Sequence, residues 1–255
     1  MKLSPHRFQR IFTYIFFGMC LMHFFALRAP WHDELMILEN LQTYQSVELF
    51  RQLDSVQAFP RIHLLLIQTL AQPFDYHLIP LRILSLLAMG AAFLLWKQHF
   101  TQSFSSPWLT VLGVMTFAFS YQLTYYSNEL KPYAMDVLSV ALVFAYLSHQ
   151  KKIEGKNLEV RDYVCAALLP GLIFFSYGAV FMVWMVAWNY LLMLREDKGF
   201  LKIFFTSAIS LGIALGLFYF ADLRFSANVQ GLHDYWQGSF ICTQNFPCFM
   251  DTFFE

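Results

Sequence analysis

Ile11-Phe12-Thr13-Tyr14-Ile15-Phe16-Phe17-Gly18-Met19-Cys20-Leu21-Met22-His23-Phe24-Phe25-Ala26-Leu27 is a nearly unbroken apolar and aromatic run, and it gives way within a few residues to Trp31-His32-Asp33-Glu34. A helix needs about 20 predominantly apolar residues to cross a bilayer. The run therefore reads as a membrane span, and the acidic pair lies where the chain re-emerges into water. Composition extends the reading to the whole chain. Hydrophobic residues make up 58% of the sequence and charged residues 13%, about half the 25% or so of a soluble domain. Lys2, Arg7 and Arg10 precede the first run, as in a secretory signal. No small-x-small cleavage site follows before Arg28 and further apolar runs do, so the segment reads as a retained anchor.

The expected fold is an all-α polytopic membrane protein of about seven transmembrane helices, at 11–27, 79–96, 107–124, 132–149, 161–177, 178–194 and 201–220. The stretch from Val164 to Leu194 is too long for one crossing and is interrupted at Pro170-Gly171 and Tyr177-Gly178; it reads as a tight hairpin of two short helices, with a single long kinked helix as the alternative. With the N-terminus inside, inner segments carry 11 Lys and Arg and outer segments 6. The positive-inside rule therefore predicts a cytoplasmic N-terminus in a cell membrane, with Asp33, Glu34 and Glu129 on the outer face.

Residues 28–78 form the first outer loop. Leu35, Ile37, Leu38 and Leu41, followed by Val47, Leu49 and Phe50, predict amphipathic pieces, and Pro60 to Gln72 is apolar but too short to span. A helix lying in the membrane interface fits that stretch. The segment 221–255 reads as an outer tail, and its end at Asp251-Thr252-Phe253-Phe254-Glu255 gives the expectation of a truncated protein.

The formal net charge is zero, so no basic excess exists to meet a phosphate backbone, which argues against a nucleic-acid partner. The four cysteines have no metal-site spacing. Cys20 and Cys165 fall in apolar runs as buried thiols; Cys242 and Cys248 lie in the polar tail, where pairing requires an oxidising compartment.

Two constellations carry chemistry. Asp33-Glu34 suits a general base or divalent-cation ligands, although two acids in a first helical turn also complement the helix dipole. Tyr125-Tyr126-Ser127-Asn128-Glu129-Leu130-Lys131-Pro132-Tyr133 links the third and fourth spans on the same outer face. Pro132 suits a helix start, so a positive helix end and Lys131 face outward, prepared for an anionic group such as a phosphate. An interfacial belt accounts for the tyrosines, but poorly for Glu129. Asp136 lies about one turn into the fourth span, and Arg82, near the start of the second, reads as a phosphate ligand or a snorkelling cation. His63 reads more naturally as a surface histidine than as a ligand.

Four landmarks resemble the GT-C glycosyltransferases that use polyprenyl-phosphate sugars, in particular the bacterial relatives of protein O-mannosyltransferases and the aminoarabinose transferases. They are the acidic pair after the first span, Phe59-Pro60-Arg61-Ile62-His63-Leu64-Leu65-Leu66, Leu81-Arg82-Ile83-Leu84-Ser85, and Tyr126-Ser127-Asn128-Glu129-Leu130-Lys131-Pro132-Tyr133-Ala134. The last is similar to that family's Tyr-Ser-Gln-Glu-Ala-Arg-Pro-Tyr-Ala. The resemblance covers roughly the N-terminal half of such an enzyme. It departs at Arg61, where the family has a second proline, and at Lys131, where it more often has arginine.

The resemblance implies a membrane transferase that moves a sugar from a polyprenyl-phosphate donor to an acceptor glycan, lipid or protein outside the membrane. Asp33 and Glu34 would be catalytic, Glu129 would complete the acidic site, and Lys131, Arg82 and Tyr133 would face the donor phosphate. A divalent cation, Mg²⁺ or Mn²⁺, is compatible with Asp33 and Glu129. The alternatives are a transporter or flippase-like protein, with Asp136, Glu129 and Arg82 along a pathway, and a non-catalytic fragment. Polar groups clustered at one face and dry span centres weaken the transporter reading.

Overall fold

The computed structural model describes residues 4–226 apart from 52, 56, 153–157 and 195–197. The tail with Cys242 and Cys248, most of the expected outer segment 221–255 and the chain end lie outside the described residues. All regular structure among the described residues is helical.

The order is α1 (Pro5–Phe25), α2 (His32–Thr43), α3 (Arg61–Ala71), α4 (Leu78–Ser103), α5 (Pro107–Ala118), α6 (Tyr121–Tyr126), α7 (Tyr133–Lys152), α8 (Val160–Leu168), α9 (Ala179–Met193) and α10 (Leu201–Phe218). Short 3₁₀ turns sit between several of them, and a π turn, Tyr219–Leu223, ends α10.

Seven spans are expected; three stretches among the described residues are long and apolar enough to cross a membrane, namely Pro5–Phe25, Leu78–Ser103 and Leu201–Leu223. For three of the others the reason is a local break, whereas α7 runs unbroken over 20 residues. The expected third span stops at Ala118 and restarts at Tyr121, because Ser120 is extended (φ −72°, ψ 109°). At 12 residues, α5 covers about 18 Å of a hydrocarbon layer about 30 Å thick. Proline has no N–H to continue a helix, so α8 ends at Leu168 and the chain tightens into a 3₁₀ turn, Leu169–Phe174, before α9 begins after Gly178.

The surface explains the composition. Phe205, Ile209, Ile213 and Leu217 recur every four residues along α10, all exposed, and Phe181, Trp184 and Trp188, three and four residues apart, form an exposed stripe on α9. Such stripes would drive aggregation in water and suit contact with acyl chains.

Inside, Phe16 of α1 stacks on Phe93 of α4 with ring centroids 4.3 Å apart, and Phe117 of α5 meets both rings edge-on. Gly113 is required by this packing, since a Cβ there would come within 2.8 Å of the Phe100 ring. A second core joins α7, α8, α9 and α10 through Val143, Ala166, Val186, Tyr190 and Ile203. Helix α7 belongs to both cores, contributing Ala134 and Met135 to the first and Val143 and Tyr146 to the second.

The loop between α1 and α4 forms a third core from Ile37, Leu41, Leu49, Leu64, Ile67 and Leu81. The amphipathic pieces fall where expected, but α3 turns some polar residues inward and some apolar ones outward. Leu66 and Leu70 are exposed, whereas His63 and Gln68 are buried. The reason is that the C-terminal end of α2 and the connection between α6 and α7 offer carbonyls needing donors. Gln68 Nε2 donates to the carbonyls of Leu41 (2.8 Å) and Tyr44 (2.7 Å), and His63 Nε2 lies 3.1 Å from that of Leu130. His63 is therefore a core histidine and not a surface one.

Candidate functional site

At one end of the bundle the end of α1, the start of α2, the start of α4 and the α6–α7 connection converge. Helix α1 ends at Phe25, and Leu27 is left-handed with φ 45°, in a position after a helix end that glycine usually fills. That strained residue reverses the chain and brings Arg28 over the site.

Glu34 is the hub, with its side chain 0% exposed. Its Oε2 accepts from Arg28 Nη1 (3.1 Å), Arg82 Nη2 (3.3 Å) and the Trp31 N–H (3.3 Å). Its Oε1 accepts from Arg28 Nη2 (3.4 Å) and the Leu130 N–H (3.0 Å). The bond from Trp31 is half of a capping box, so the helix-start explanation of the acidic pair holds for Glu34. The bond from Leu130 joins residues 96 positions apart and fixes the α6–α7 connection against α2.

Asp33 points the other way. It is the open carboxylate of the cluster, with its side chain 37% exposed, and its Oδ2 lies 2.6 Å from Lys131 Nζ. Lys131 also sits 4.4 Å from the centroid of the Trp31 ring and 5.7 Å from that of Tyr133. Burial pulls the Lys131 ammonium down, but Asp33 and Tyr133 outweigh burial and hold it above its ordinary value.

Glu129 is buried. Its Oε1 is 3.7 Å from Arg28 Nη2, and its Oε2 has no hydrogen-bond partner among the described residues. Its backbone carbonyl accepts from Ser85 Oγ of α4. Burial, with the neighbouring Glu34 charge adding to it, pushes its carboxyl above the usual carboxylate range.

The six sequence-predicted site residues thus come together, but they divide by access. Asp33, Lys131 and Tyr133 line the approach. Glu34 and Arg82, each 0% exposed, are the internal support, and Arg82 Nη1 is occupied by the Arg28 carbonyl at 2.9 Å. Direct contact of Arg82 with a donor phosphate is not available in this arrangement. Arg28, counted in the sequence only as an outer positive charge, is the residue that reading missed. The available signal was an arginine five residues before an acidic pair.

The donor set fits a resident divalent cation poorly. The three carboxylates Asp33, Glu34 and Glu129 are matched by Lys131, Arg82 and Arg28, and among the described residues no group of three His, Cys, Asp or Glu is placed to hold an ion. Asp136 is engaged elsewhere, accepting from Ser176 Oγ at 2.5 Å. A groove of about 420 Å³ along α5, lined by Phe104, Leu112, Phe117 and Leu123 among others, is apolar and lies apart from this cluster.

Comparison with known proteins gives one family. Residues 82–202 match the family model described as protein O-mannosyl-transferase TMEM260 N-terminal domain. The chain is similar to that family over this stretch. The matched residues begin at Arg82 and include Glu129, Lys131 and Tyr133; they exclude Asp33 and Glu34. Neither the curated proteins nor the solved structures compared with the chain give a match.

Two buried groups give the site opposite responses to pH. Desolvation pushes His63 down to about 4, although its hydrogen bond to Leu130 opposes this. The unfolded chain then binds the proton first, so His63 contributes stability above its ordinary value, near 6.5, that is lost as pH falls toward about 4. Glu129 is raised, so the folded state binds its proton more tightly, and its contribution is present in acid and lost as pH rises through the raised value. Thermal unfolding of the solubilised protein from about pH 4 to 7 checks this. The stability of His63→Gln should fall more steeply with rising pH than that of the parent, and that of Glu129→Gln should climb more steeply.

Proposed function

We propose that this chain is a membrane glycosyltransferase that takes a sugar from a polyprenyl-phosphate donor and passes it to an acceptor hydroxyl on the outer face, in a GT-C-like fold. The seven-crossing count and the cytoplasmic N-terminus belong to this reading. The observation that carries it is the Asp33–Lys131 pair, 2.6 Å apart across 98 positions of sequence with its carboxylate 37% exposed, mounted on the buried carboxylates of Glu34 and Glu129 and the guanidinium groups of Arg28 and Arg82. Similarity to an O-mannosyltransferase domain over 82–202 supports it independently.

The chemistry follows from the residues. The acceptor oxygen attacks the anomeric carbon while its proton passes to Asp33. The bond between that carbon and the phosphate oxygen breaks, and the polyprenyl phosphate leaves with the electron pair. Lys131 stabilises the charge that develops on it. Glu34 and Arg82 position these groups. A divalent cation bound by Asp33 and Glu129 would have to displace Lys131 and Arg28. Acceptor and sugar selectivity would come from groups around Trp31 and Tyr133, whose rings already pack beside Lys131. The transporter reading loses support, because Asp136 is held by Ser176 while Glu129 and Arg82 belong to the Glu34 network.

The test is transfer of labelled sugar from a polyprenyl-phosphate donor by membranes containing the chain. Asp33→Asn should lower the rate by about 10²–10⁴-fold, the usual contribution of a positioned base. Its stability should fall by no more than about 1–2 kcal/mol, because the carboxylate it removes is 37% exposed and Lys131, 12% exposed, keeps the Trp31 and Tyr133 rings beside it. Full activity in the variant would refute Asp33 as the base.

A further inference from the structure

We infer that Arg28 is the guanidinium that grips the phosphate oxygens of the ligand in this site, moving from the carboxylates it now bridges to the incoming anion. The inference rests on the donor-site reading above and names the group that recognises the donor's phosphate.

Access separates the three cations. Arg82 is fully enclosed, with Nη1 on the Arg28 carbonyl and Nη2 on Glu34. Lys131 is 12% exposed and engaged by Asp33 until that carboxylate takes the acceptor's proton, so it is not free to grip the incoming phosphate. The Arg28 side chain is 26% exposed, the most open of the three. Its guanidinium carbon lies 4.6 Å from the centroid of the Tyr125 ring. An aromatic face supports a guanidinium while leaving its N–H edge free for a bidentate partner.

Release from its present partners is chemically feasible. Glu34 without Arg28 keeps Arg82 and the N–H groups of Trp31 and Leu130, so the hub stays satisfied. Glu129 lies 3.7 Å from Arg28, longer than a hydrogen bond, and Tyr125 and Lys131 remain beside it to favour its charge when Arg28 leaves. Because burial raises its carboxyl, Glu129 gives up Arg28 at lower cost by taking a proton. A phosphate ester has the planar-fork complementarity that a guanidinium prefers. The Arg28 carbonyl, which accepts from Arg82 Nη1 at 2.9 Å, holds the Arg28 backbone in place while the side chain moves.

Sugar-free polyprenyl phosphate, bound to the purified chain in phosphatidylcholine nanodiscs, separates this from the transferase reading. Arg28→Lys keeps the charge but not the fork and should weaken binding by about tenfold or more; Arg28→Gln should weaken it further. Since either variant could lose its fold, the intact chain supplies the second measurement. Saturating polyprenyl phosphate should protect Arg28 from phenylglyoxal, mapped by mass spectrometry. Binding by the intact chain with both variants within twofold, or with Arg28 left unprotected, overturns the inference and leaves the transferase reading standing. No binding by the intact chain overturns both. Equal protection by phosphatidylglycerol supports the phosphate grip but assigns it to a bilayer headgroup.

Discussion

Glu34→Gln should unfold the end of the bundle that carries Asp33 and Lys131, lowering stability by about 3–5 kcal/mol, the usual cost of breaking a buried ion pair by removing one partner. The substitution keeps size and shape, so the loss is one of charge and of acceptors. Five donors converge on the two carboxylate oxygens: two from Arg28, one from Arg82, and the backbone N–H groups of Trp31 and Leu130. A glutamine must turn its own N–H₂ toward one of those sets and place donor against donor. Arg82, enclosed and with Nε already without a hydrogen-bond partner among the described residues, would then lose its direct carboxylate partner. The check is thermal unfolding of the solubilised protein, where about 3–5 kcal/mol corresponds to roughly 10 °C in a chain of this size.

A double-substitution cycle separates this mechanism from a general loss of packing. Arg82→Met alone leaves Glu34 buried with Arg28 as its remaining cation, and it should also destabilise. Glu34→Gln with Arg82→Met removes both charges, so the combined loss should fall short of the sum of the single losses. Strict additivity would show that the pair is not coupled. The contrast with Asp33→Asn is the sharper point: adjacent acids, one internal and one open, should give opposite phenotypes. One loses fold, and the other keeps fold and loses transfer.

That division marks the limit of what the sequence reveals. Hydropathy locates α1, α4 and α10, because an unbroken apolar run needs no partner to be recognised. Residue chemistry locates Asp33-Glu34 and Glu129-Leu130-Lys131 as candidates. It cannot tell which acid turns inward, since both suit a first helical turn and the choice depends on Leu130, 96 positions away. For the same reason Arg28 and Arg82 exchange their expected roles. The enclosed arginine lies where a phosphate ligand is predicted, and the accessible one looks like a flanking charge. The left-handed Leu27 that aims Arg28 carries no sequence signal, because leucine has no preference for that conformation. The breaks at Pro170 and Gly178 were legible because proline and glycine act locally; the break at Ser120 was not.

Asp222→Asn should cost a comparable amount, about 3–5 kcal/mol, at a contact no local pattern predicts. Asp222 lies in the π turn that ends α10, 161 positions from Arg61 at the start of α3. Its Oδ2 accepts the Arg61 backbone N–H at 3.2 Å, and its Oδ1 lies 3.5 Å from Arg61 Nε and accepts from Tyr177 at 2.8 Å. Arg61 is buried, and Nη1 has no hydrogen-bond partner among the described residues. Burial pulls its guanidinium down, and Asp222 is the charge that opposes it. Asparagine keeps an acceptor for the backbone N–H but removes the countercharge from an enclosed cation. Helix α3 also holds the Leu130 carbonyl through His63, so losing its anchor should loosen the α6–α7 connection that carries Lys131. Hydrogen exchange is the discriminating measurement. Protection should fall in α3 and in residues 127–132 together, while α1 and α4 stay protected. A loss confined to the end of α10 would show that Asp222 holds only its own turn.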